Sequence, residues 1–156
     1  MRLPSRHNQA GLTLVELIVA FTILLILTTA ALPLARVKIK RDREIELRRA
    51  LREIRTAIDR YKDAADRNLI QVKVGTEGYP PDLQTLVDGV QLAGAPERRV
   101  RFLRRIPSDP MTAQADWGLR AVQDAPDAQS WGGQNVFDVY SRSQGMALDG
   151  TRYSDW

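Results

Sequence analysis

Hydrophobic and polar positions alternate in three different ways along the chain. From Leu12 to Ala35 almost every residue is apolar, interrupted only by Thr13, Glu16, Thr22, Thr28, Thr29 and Pro33. About 20 such residues suffice to cross a bilayer as a helix, so residues 12–35 are predicted to span a membrane. From Arg36 to about Asp66 the apolar positions thin to a stripe. Leu47, Leu51, Ile54, Ile58, Tyr61 and Ala65 recur at steps of four and three, the mark of one helix face. No Gly or Pro interrupts this stretch and good helix formers fill it, so the helix is predicted to continue over residues 36–67. The stripe covers fewer than three heptads and is predicted to pack on the chain's own C-terminal part, with a coiled-coil partner as the alternative. Glu44 with Arg48, Arg49 with Glu53 and Asp63 with Arg67 stand one turn apart, as supporting ion pairs do.

After Asn68 the pattern breaks into short pieces punctuated by Gly75, Gly78, Pro80, Pro81, Gly89, Gly94 and Pro96. A short helix is predicted from Pro81 to Val87, with Gly89 beyond its end. A second is predicted from Arg98 to Ile106, closed by Pro107 and Pro110. Trp117 to Val122 and Asn135 to Ser141 alternate as strands do, across a Pro-, Asp- and Gly-rich connection, and predict one small antiparallel sheet. The fold class is therefore α+β, a long N-terminal helix packed on a small antiparallel domain at residues 68–156.

A chain of 156 residues has room for one small domain beside a membrane segment. It contains no cysteine, which removes disulfides, thiolate metal sites and cysteine nucleophiles. Its one histidine, His7, falls in the first eleven residues, and no carboxylate pair is placed for acid–base work, so no enzyme is expected. The net charge of +4 comes from 23 basic and 19 acidic residues. Bases and acids alternate closely from Arg36 to Arg67, and the one aromatic among them, Tyr61, belongs to the apolar stripe, which argues against a nucleic-acid partner.

Residues 1–11 are polar and basic, carry Pro4 and end on Gly11, and are predicted to be a leader. Removing them takes away Arg2 and Arg6 and no acid, lowering the charge from +4 to +2. Thr29-Ala30-Ala31 also offers a small-x-small signal-peptidase site, whose use would release a soluble secreted domain. Against that stands Glu16, a carboxylate near the start of the apolar run, where a charge is costly and marks a partner. A cut between Gly11 and Leu12 would create an amine four residues before Glu16, able to pair with the Glu16 of a staggered neighbour.

Gly11-Leu12-Thr13-Leu14-Val15-Glu16-Leu17 followed by an apolar stretch resembles the class III signal of the type IV pilin-like superfamily. The resemblance implies removal of the 1–11 leader by prepilin peptidase, N-methylation of Leu12 and a role for Glu16 in filament assembly. Leu12 stands where the family usually has Phe, and Pro33 matches a frequent family proline that kinks or unwinds the helix. Tyr79-Pro80, Leu103 to Pro110, Asp116-Trp117-Gly118, Phe137 to Ser141 and Trp156 are similar to landmarks of the major pseudopilin of type II secretion systems. That likeness implies a homo-oligomeric helical filament and, as partners, minor pseudopilins and an inner-membrane assembly platform with its ATPase. A type IV pilus pilin, major or minor, and a membrane-tethered or secreted binding domain are the alternatives.

The family's major pseudopilins hold calcium in the C-terminal loop. Here residues 141–156 offer only Asp149 and Asp155 as acids, with Arg142 and Arg152 nearby. Calcium on Asp149 and Asp155 and a tight Asp149-Gly150 turn are both open readings. Arg36, Lys38, Lys40, Arg41 and Arg43 follow the apolar run while only Arg2 and Arg6 precede it. Charge counting alone would place the C-terminal part in the cytoplasm. The leader implies the reverse, an inner-membrane protein with a periplasmic C-terminal domain.

Overall fold

The computed structural model describes residues 13–156, with the side chains of residues 30–34 outside the description. The leader at 1–11 and the predicted cleavage pair Gly11 and Leu12 therefore lie outside the described residues. Helix α1 runs over Leu14–Asp66, 53 residues, and is continuous through position 33. The described chain divides into two units, the first ending at Ile39 and the second spanning Lys40–Trp156.

In the second unit α1 ends where its backbone hydrogen bonds are capped. Leu69 N–H donates to the Ala64 carbonyl and Asn68 N–H to that of Ala65, both at 2.9 Å. Asn68 takes φ 55°, the left-handed position of a Schellman ending. The predicted stripe is the core: Leu47, Leu51, Ile54, Ile58, Tyr61 and Ala65 are all buried, together with Leu86, Leu103, Trp117, Val136, Val139 and Tyr153. Fully burying one such side chain contributes roughly 1.5–3 kcal/mol, so this stripe anchors the unit. Phe102 adds an edge-on contact to Tyr61 at 5.4 Å between centroids.

Helix α2 spans Leu83–Asp88 and is capped by Asp82, whose carboxylate accepts from Thr85 N–H at 2.7 Å. Pro81 thus precedes the cap instead of opening the helix. Gly89 ends α2 at φ 79°, and a Cβ there would meet the Val100 carbonyl oxygen at 2.7 Å, so both backbone conformation and space require glycine.

The helix expected at Arg98 to Ile106 is not formed. Strands β1 (Val90–Leu92) and β2 (Ala95–Val100) instead pair antiparallel. The Leu86 carbonyl then accepts from both Phe102 and Leu103 N–H at 3.0 Å, which draws the chain off any helical path. Pairing with β1 overrides the helix-compatible composition here. Strands β3 (Trp117–Arg120) and β4 (Asp138–Ser141) pair antiparallel in the register Trp117↔Ser141 to Arg120↔Asp138. They are shorter than the predicted Trp117–Val122 and Asn135–Ser141, and β1–β2 forms a separate two-stranded sheet. Beyond Arg120 and before Asp138 the polar groups turn inward: Val122 N–H donates to the side chain of buried Asn135 at 3.1 Å, ending the ladder.

The described chain is thus α+β, with a long N-terminal helix and small antiparallel sheets, consistent with a pilin-like fold.

Candidate processing and assembly site

At the start of α1, the Thr13 hydroxyl accepts from Glu16 N–H at 3.2 Å and the Thr13 carbonyl from Leu17 N–H at 3.1 Å. Thr13 is therefore the N-cap and Glu16 the third helical residue, the spacing of a capping box. The Glu16 carboxylate stands in the first turn, where the helix dipole favours a negative charge, and it is exposed. The same side chain that would meet a neighbour's amine is thus held at a helix N-terminus. Sequence reading singled out Glu16 and missed Thr13, although the Thr-x-x-Glu spacing marks both.

Along the apolar run every described side chain is exposed, from Leu14 at 76% and Phe21 at 64% to Leu27 at 63%. A helix apolar on all sides requires a covering medium or neighbours. Its hydroxyls are satisfied internally: Thr22, Thr28 and Thr29 donate to the carbonyls of Ile18, Leu24 and Leu25 at 2.7–2.8 Å. Such back-bonding removes unpaired donors from an apolar surface. Among the described residues no helix is long and apolar enough to cross a membrane. Within the predicted span of 12–35 the described side chains run unbroken only from Thr13 to Thr29, about 26 Å of helix at 1.5 Å per residue, and those at 12 and 30–34 lie outside the description.

The C-terminal segment is fastened to α1 by polar contacts that the sequence did not announce. Glu44, predicted to pair with Arg48, is buried and accepts from Leu148 N–H at 2.8 Å and the Tyr153 hydroxyl at 2.9 Å. Arg48 instead sits over the Trp156 ring at 4.1 Å, with Asp149 3.5 Å from its guanidinium. Arg55 donates to Asp138 at 2.6 Å and to the main-chain oxygen of Trp156 at 2.8 Å. Of the three predicted helix pairs only Asp63–Arg67 forms, at 2.9 Å.

Asp149 accepts from the Thr151 hydroxyl at 2.6 Å and from its N–H at 2.9 Å. The hydroxyl first, then the amide, hold its carboxyl below the usual range, and Arg48 adds to the effect. Asp155 accepts from the Ser154 hydroxyl at 3.2 Å. Calcium takes six to eight oxygen ligands. Here one of two carboxylates closes a turn and faces a guanidinium, and among the described residues no three acidic, His or Cys groups gather around one point. This donor set does not fit calcium.

Compared with known families, residues 6–32 match the prokaryotic N-terminal methylation motif. The match covers the N-terminal segment and supports a type IV pilin-like precursor, a class of structural subunits. No curated protein and no solved structure matches the chain.

Proposed function

We propose that the chain is a major-pseudopilin-like subunit of a type II secretion system. Prepilin peptidase cuts between Gly11 and Leu12, Leu12 is N-methylated, and residues 12–35 anchor the protein in the inner membrane with its C-terminal domain in the periplasm. Subunits then leave the membrane and bundle their apolar helices into a periplasmic pseudopilus, with Glu16 pairing across neighbours. The observation that carries this reading is the methylation motif at 6–32 leading into a helix whose described apolar side chains are exposed all round. The landmarks from Leu103 to Trp156 favour a pseudopilin over a pilus pilin.

Intact mass and N-terminal sequence of the protein, recovered from membranes of cells carrying the peptidase, test the processing. A chain beginning at methylated Leu12 is expected, and one beginning near Leu32 would mean ordinary signal cleavage. Deleting the gene is expected to abolish protein export and leave surface pili intact. Loss of pili with normal export would assign the chain to a pilus.

A further inference from the structure

Two adjoining cavities run between α1 and the segment that follows β2. One, of about 410 Å³, is lined by Arg49, Glu53 and Arg105 among others, and the other, of about 530 Å³, by Arg49, Arg52, Arg60 and Arg104. They share Arg49 and Glu53, so they form one groove. Among the described residues its lining holds five arginines against two acids, Glu46 and Glu53.

All five arginines are exposed, and among the described residues none forms an ion pair. Arg49 stands one turn from Glu53 yet makes no pair with it, so helix spacing alone does not account for the cluster. Arginine side chains thus line the cleft together with Ile106, Pro107 and Phe102, which supply apolar wall.

We infer that this groove binds an acidic, extended peptide segment of a partner protein. Guanidiniums bind carboxylates and phosphates alike, but Glu53 lies where the two cavities meet. A nucleic-acid backbone carries a charge at every step and would set a phosphate against it. An extended peptide presents every second side chain to the groove, and its sequence can set carboxylates at the positions facing the arginines and a neutral residue at the one facing Glu53. The one aromatic ring in the groove, Phe102, is half-buried against Tyr61 and offers no open face for base stacking.

The test uses the full chain in an uncharged detergent and a fluorescein-labelled peptide of alternating glutamate and alanine, about ten residues long with one central glutamate replaced by alanine, read by anisotropy. Binding that falls with added salt is expected. The Arg49→Glu/Arg105→Glu variant should lose at least about tenfold in affinity, while Arg98→Glu/Arg99→Glu, an equal charge change outside the groove, should lose little. Unchanged melting temperatures establish that both variants fold. No binding, or equal loss in the two variants, overturns the proposal. A single-stranded oligonucleotide of equal charge that binds more tightly than the peptide overturns it in favour of nucleic acid.

Discussion

The Tyr153 hydroxyl donates to Glu44 Oε1 at 2.9 Å across 109 positions of sequence, and both groups are buried. The same oxygen accepts from Leu148 N–H at 2.8 Å, so one carboxylate of α1 fastens two points of the C-terminal segment. Removing the hydroxyl with Tyr153→Phe is expected to cost about 1 kcal/mol. Glu44→Ala strands both donors and is expected to cost about 2–3 kcal/mol. Denaturant unfolding of the detergent-solubilised chain measures both, and equal, negligible losses would remove Glu44 from this role.

Burial first, and the hydrogen bond and charge of Glu44 after it, push Tyr153 up to about 12 from an ordinary 10.0. A folded value above the unfolded one means that this stabilisation is fully present below about pH 10 and disappears as pH rises through about 12. Wild type is expected to lose stability over that window more steeply than Tyr153→Phe, and parallel melting curves against pH would contradict the assignment.

Because Asp149 closes a turn through Thr151 and faces Arg48, millimolar calcium or a chelator is expected to leave the melting temperature unchanged. Asp149→Ala should lower it whether or not calcium is present. A calcium-dependent rise in wild type that Asp149→Ala abolishes would restore the metal site.

Gly118 faces Tyr140 in the β3–β4 register, and a Cβ there would meet the ring at 2.2 Å. Gly118→Ala is expected to cost about 1–3 kcal/mol. Adding Tyr140→Ala should relieve part of that cost, a coupling that a double-mutant cycle detects. Full additivity would show that the two positions are not in contact.

Glu16→Gln keeps the helix and removes the charge. Cleavage is expected to proceed normally while filament yield, counted by electron microscopy, falls sharply. Thr13→Ala tests the cap separately, with an expected loss of about 1 kcal/mol of local helix stability and assembly retained. Normal filaments from Glu16→Gln would count against the pairing role.

The apolar run, the Glu16 motif and the stripe from Leu47 to Ala65 were legible in the sequence because each is a local, periodic property of a helix. A helix satisfies its own backbone, so spacing alone predicts both its existence and its buried face. Trp117 and the β3–β4 pair were legible for a similar reason, through strand alternation. Only tertiary structure decided that Arg98 to Val100 joins a strand, since that choice depends on a ladder offered by Val90 to Leu92. It also decided the partners of the charged residues. Asp109 is fully buried and accepts from Ser141 at 2.6 Å and from Met111 N–H at 2.7 Å, and the first of these partners, 32 positions away, is set by the fold alone. Glu44 turned from its helical neighbour Arg48 to Tyr153, because a buried carboxylate is stabilised by donors that reach it in the dry interior. Helix spacing can bring two charges within reach, but the distant segment that folds over them determines which pair forms.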